Sequence, residues 1–195
     1  MDIEDHGSLA LLCAIALVSG CASTSIPVKP TGPYHMITID SPQSQVWVDS
    51  RFNLVSDYDL PEGKGWLYTD YEGQEDQEFV WVYAGPSDSA QWPPEQSGRV
   101  KAIDSVTGAA FEELGPVQVS AMGIDKLASH AGIGSPDCAL ANTTVYKGDS
   151  GRYLITTYLE GLRCNLAFSG GDPIAKLGES LFQNRAHAVI KVKPR

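Results

Sequence analysis

The stretch YLITTYLEGLRCNLAFSGGDPIAKLGESLFQNRAHAVIKVK, Tyr153 to Lys193, decides the fold class. Its first part, Tyr153–Leu159, is rich in the β-branched and aromatic residues that suit a pleated, half-buried surface. Glu160-Gly161 offers a tight turn, and Arg163–Phe168 then reads as a second strand. Within it, Leu162, Cys164, Leu166 and Phe168 fall on one face, so Cys164 is expected to point inward. A glycine-rich break follows. Asp172 then stands at an N-cap position and Pro173 at the first helical position, with Ile174, Leu177, Leu181 and Phe182 on one helical face. Beyond it, Ala188, Ile190 and Val192 alternate with His187, Lys191 and Lys193 as a closing strand. Strand, strand, helix, strand is the order of a helix packed across an antiparallel sheet.

Working outward, the upstream chain repeats the period-two pattern. Tyr34–Asp40, Gln45–Asp49, Gly65–Asp70, Glu78–Ala84, Arg99–Asp104, Val117–Met122 and Thr143–Tyr146 read as strands between Gly-, Pro-, Asp- and Ser-bearing turns. A short helix is expected around Ile124–Ala131. The fold class is therefore α+β and β-rich: an antiparallel sheet with one C-terminal amphipathic helix, over about 173–185, packed on it. A chain of 195 residues with 43% hydrophobic and 19% charged residues suffices for one folded domain. That single globular domain is expected over 34–195.

The segment before residue 34 has another character. Leu9–Val18 (LALLCAIALV) is an apolar run too short to span a bilayer, which takes about 20 residues, and it has the length of a signal-peptide core. Leu17-Val18-Ser19-Gly20-Cys21, which ends it, resembles the lipobox of bacterial lipoproteins. The resemblance covers residues 9–21 and implies a signal peptide over 1–20, removed before Cys21, whose thiol is acylated with diacylglycerol. Small residues before the cysteine suit a membrane-embedded protease, and a thiol at the bilayer surface can become the thioether. The n-region MDIEDHGS departs from the pattern, with acids and no Lys or Arg. Residues 21–33 (CASTSIPVKPTGP) lack a hydrophobic period and read as a tether. Ala22 stands where, in enterobacterial lipoproteins, an Asp favours inner-membrane retention, so the resemblance implies the outer membrane, facing the periplasm.

Of the four cysteines, Cys13 and Cys21 lie in or beside the signal. Cys138 and Cys164, 26 positions apart, remain as an even pair, which in an exported domain suggests a disulfide. Neither has a C-x-x-C neighbour, so a metal site is not expected there.

The net charge of −10 argues against nucleic acid, because phosphate binding needs a cationic face. The acids gather between Asp57 and Glu78 against Lys64 alone, whereas bases predominate from Arg163 onward. The acidic run reads as a solvated face, with a cation- or partner-binding edge as the sharper alternative.

Candidate chemistry is sparse. Gly148-Asp149-Ser150-Gly151 matches the nucleophile region of trypsin-like serine proteases, but the partner motifs are missing and a turn accounts for the residues. His35, His130 and His187 have no helical partner spacing, and Asp57, Asp59 and Glu62 match a calcium loop only loosely. No catalytic residue, metal ligand set or cofactor fingerprint is expected. Trp66 and Tyr68 share one strand face, as do Trp81 and Tyr83. If those strands pair, one face carries an aromatic ladder, either core packing or a binding platform, with Trp92 as an exposed aromatic. The expected function is a membrane-anchored binding or envelope-assembly accessory, with membrane lipid as partner through Cys21 and envelope proteins or peptidoglycan as further partners. A cell-envelope enzyme or enzyme inhibitor is the alternative.

Overall fold

The computed structural model describes residues 33–60, 63–70, 77–86, 100–102, 109–148, 151–164 and 173–194. Cys21, the tether, Trp92 and the Asp172 N-cap position lie outside them.

Alternating hydrophobic residues in Tyr34–Asp40 (β1) and Gln43–Asp49 (β2) pair antiparallel, and Ile190–Pro194 (β10) adds on the other side of β2. This three-stranded sheet turns Ile37, Ile39, Val46 and Val48 inward. The remaining strands are Asn53–Leu60 (β3), Gly63–Thr69 (β4), Glu78–Pro86 (β5), Val100–Ala102 (β6), Ala109–Gln118 (β7), Cys138–Lys147 (β8) and Arg152–Leu162 (β9). They form an antiparallel seven-stranded sheet in the order β3-β4-β5-β9-β8-β7-β6.

Helices pack on both faces of the large sheet. Ile124–His130 (α1) buries Ile124 and Ala128. They pack with Leu67, Phe79, Ala139 and Leu159 on one face of the large sheet. The long helix α2, Pro173–Val189, lies against the opposite face and runs directly into β10. Phe182, Ala186 and Val189 stand at i, i+4 and i+7 and are its buried residues among those whose side chains are described. They meet Tyr68, Val80, Val82, Leu154 and Tyr158 of the large sheet and the inward residues of the small one. Tyr158 is the centre of this layer, tilted against Phe182 at 5.1 Å and edge-on to Phe52 at 6.4 Å. Each such pair contributes about 0.5–1.5 kcal/mol beyond simple burial.

The α+β class and the C-terminal helix are as expected, but the details differ. The strands divide into two sheets, and α2 packs into the core that they share. Leu181, expected on the buried helix face, is 62% exposed, whereas its neighbour Phe182 is buried. Glu160-Gly161 is not a turn but lies within β9, paired with Leu140 and Ala139. The chain leaves the sheet after Leu162, so Cys164 is exposed rather than inward on a strand. Val117–Met122 is a strand only to Gln118, and Val119–Met122 is a 3-10 turn.

The GDSG segment joins β8 to β9. Gly148 N–H donates to the Arg152 carbonyl at 2.8 Å, and Gly151 has φ +71°, a left-handed conformation that favours glycine. A Cβ on Gly148 would fall 2.5 Å from Pro42 Cβ, so the first glycine admits the β1–β2 hairpin tip. Ser150 lies outside the described residues.

Candidate functional site

On the face of the large sheet beneath α2, the alternation of β5, β7, β8 and β9 places Glu78, Glu112, Asn142 and Glu160 on the same side as Tyr158. Carboxylates buried under a helix need partners, because an unpaired charge in a low-dielectric interior is costly. Helix α2 supplies them from both flanks.

On one flank, Glu112, only 6% exposed, accepts three hydrogen bonds or charge-assisted contacts. Asn142 Nδ2 donates to Oε1 at 2.6 Å, Gln183 Nε2 donates to Oε2 at 2.6 Å, and His187 Nε2 lies 2.7 Å from Oε1. Gln183 and His187 are i and i+4 on α2, so one helical turn holds both to one carboxylate. Burial works to raise the Glu112 carboxyl, but the hydrogen bonds of His187, Asn142 and Gln183 and the imidazolium charge outweigh it and hold it below the ordinary range. In return, the hydrogen bond to Glu112 raises His187 above its ordinary value, against the opposing effect of burial. Nearby Tyr146 is pushed up to about 12 by burial and by the Glu112 charge.

On the other flank, Glu78 is 2% exposed and is clamped by Arg51 at 2.8 Å and by Arg185 of α2. Burial raises its carboxyl despite the opposing hydrogen bond of Tyr158 and the two guanidinium charges. Arg185 also reaches Glu160 at 3.4 Å. Glu78, which the sequence placed at the end of a solvated acidic run, is thus interior. Asp57 and Asp59 are on the edge strand β3 and flank Lys64 at 3.5 and 3.9 Å. An oriented imidazole beside a carboxylate is the geometry of general-base chemistry, and His187 is 55% exposed on its side chain. The same contacts also pin α2, and hence β10, to the large sheet.

The other expected residues scatter. Tyr68 and Trp66 stand opposite Val80 and Val82, whereas Trp81 and Tyr83 stand opposite Leu67 and Gly65. The strands pair, but this register puts the two aromatic pairs on opposite faces of the sheet, so no single ladder forms. Tyr68 and Tyr83 are buried; Trp66 and Trp81 are half-buried. Trp81 stacks with Tyr83 at 6.1 Å, and its Nε1–H donates to Tyr58 Oη at 2.6 Å. The Tyr68 hydroxyl is raised by burial and by the charge of Asp57. His35 turns toward Tyr68, His130 is exposed at the end of α1 and His187 pairs with Glu112, so the three do not meet. Among the described residues, no cluster of three or more His, Cys, Asp or Glu could hold a metal ion, and no helix is long and apolar enough to cross a membrane.

Cys138 and Cys164 form a disulfide with Cα atoms 5.1 Å apart. Cys138 opens β8 opposite Leu162, the last residue of β9, so the bridge fastens the chain just beyond that strand. Sequence reasoning missed the Glu112 and Glu78 networks because their members come from strands and a helix far apart in the chain. The i, i+4 spacing of Gln183 and His187 was the one local signal. No protein-family model matches the chain, and no curated protein matches it.

Proposed function

We propose that this chain is an exported lipoprotein, acylated on Cys21 and held at the outer membrane facing the periplasm, where it serves as a binding or envelope-assembly module. The Cys138–Cys164 disulfide carries this reading, because structural disulfides persist in oxidising compartments and are rare in the cytosol. It joins the lipobox-like Leu17–Cys21 and the tether over 21–33, two features that independently fit export. The buried ionisable groups beneath α2 fit a non-catalytic role, since Glu78, Glu112 and Arg185 are engaged in holding helix to sheet.

Affinity capture of the full chain from detergent-solubilised envelopes, with proteins and peptidoglycan both identified, tests the reading. Specific recovery of an envelope protein or glycan strand supports it. A second reading, an envelope enzyme acting on peptidoglycan, is favoured by the Glu112-oriented, half-exposed His187. Release of soluble fragments from peptidoglycan by the wild type, lost in His187→Ala, would replace the binding role with that one.

A further inference from the structure

The three-stranded sheet has an outer face that neither the Glu112 network nor the inter-sheet core uses. Trp47 on the central strand β2 stands opposite Met36 on β1 and Lys191 on β10. Since Val46 and Val48 turn inward, these residues turn out. Tyr34 lies one pleat away on β1, opposite Asp49, and Lys193 one pleat the other way on β10, opposite Gln45. Met36 is 58% exposed, and it and Leu181 are the large hydrophobic side chains left in water among the described residues. Lys191 Nζ donates to Tyr34 Oη at 2.6 Å and sits 4.4 Å from the ring centre, reaching across β2 beside Trp47. Asp40 and Asp49 share the face at the two ends of the β1–β2 ladder, and Asp49 Oδ1 is occupied by the Arg51 N–H.

Tryptophan and tyrosine ringed by lysine is the chemistry of a membrane–water interface. Two further observations indicate which surface such a face would meet. The tether over 21–33 leads directly into Tyr34, so the face begins where the tether ends. Residues 21–33 give a chain that reaches about 45 Å even if fully drawn out, so an acylated Cys21 would hold this sheet within that distance of the lipid. The chain as a whole carries −10, yet Lys191 beside Trp47 and Lys193 beside Gln45 project here. With Lys191 and Lys193 offsetting Asp40 and Asp49, an anionic bilayer repels this side less than the acidic remainder.

We propose that this face seats on anionic phospholipid headgroups, with Trp47 and Met36 at headgroup level and Lys191 and Lys193 toward the phosphates. The inference rests on the lipid-anchored reading above. It fixes the orientation of the domain on the bilayer.

The test uses the full lipidated chain on vesicles of phosphatidylglycerol and acyl-brominated phosphatidylcholine in equal parts, read by quenching of tryptophan emission. Trp47→Phe should remove the quenched component. Lys191→Glu/Lys193→Glu should weaken docking by about fivefold per lysine, and vesicles lacking phosphatidylglycerol should reduce quenching in the wild type. Both variants are outward-facing, and an unchanged urea midpoint shows that the fold is intact. A mass spectrum of the same sample separates the two claims. Without the acyl group on Cys21, anchor and docking both fall. With it present, quenching that is absent, or that is unchanged by Trp47→Phe or by the lysine variant, overturns the docking alone.

Discussion

Reduction of the Cys138–Cys164 bridge removes a covalent tie that the folded β8–β9 ladder already brings within reach, since Cys138 stands opposite Leu162. The bridge therefore acts chiefly on the unfolded chain. With a sequence separation of 26, loop-closure entropy gives about 3.5 kcal/mol of stabilisation at room temperature. The suitable variant is Cys164→Ser, because Cys164 is exposed. Cys138 is 2% exposed, and its replacement would add a packing loss. In urea titrations followed by circular dichroism, this loss lowers the midpoint by about 1–3 M for slopes typical of small domains. Reduced wild type should unfold with the oxidised or reduced variant, and the variant should ignore reductant. A wild-type midpoint that reductant does not move would refute the entropy argument, as would a reductant-sensitive Cys164→Ser.

Three further perturbations probe the packing. His187 is raised by Glu112, so its contribution is complete below its ordinary value of 6.5 and is lost as pH climbs through the raised one. Glu112 is lowered, so its contribution is complete above 4.5 and is lost as pH falls through the depressed value. Wild-type Tm should therefore gain most from this pair between those two values and decline on the alkaline side, and Glu112→Gln should flatten that decline. Phe182→Ala should cost about 3–5 kcal/mol and Leu181→Ala about 0.5 or less in chemical unfolding; equal costs would mean that the helix face is misassigned. At Gly65, a Cβ would fall 2.2 Å from the Tyr58 ring. Gly65→Val should thus push that ring off Trp81 Nε1, costing about 1–3 kcal/mol and shifting tryptophan emission.

What could be read from the chain followed local periodicity. The β1, β2, β5 and β9 alternations and the C-terminal helix over about 173–185 were legible, because each element buries one face; His187 and Ala188, which alternate like a strand, instead continue the helix to Val189. Strand β3 was not, since Asp57 and Asp59 look like a loop, yet charges suit an edge strand. Strand β7 carries Glu112, Gly115 and Pro116, all unfavourable in a central strand. Among the described residues, its neighbour β6 pairs with Phe111–Glu113, and Pro116 lies beyond that described ladder, where a missing N–H costs little. The turn chemistry of Glu160-Gly161 was overridden by pairing on both sides of β9. Register is a tertiary property, so neither the opposition of Trp66 to Val82 nor the meeting of Glu112 with His187 could be found from spacing.

The lipid anchor is tested most directly by intact-mass and peptide mass spectrometry of the protein isolated from the envelope of its host. The expected chain starts at Cys21, lacks residues 1–20 and carries a diacylglyceryl thioether on that cysteine. A chain retaining Leu9–Gly20, with an unmodified thiol at Cys21, would contradict it.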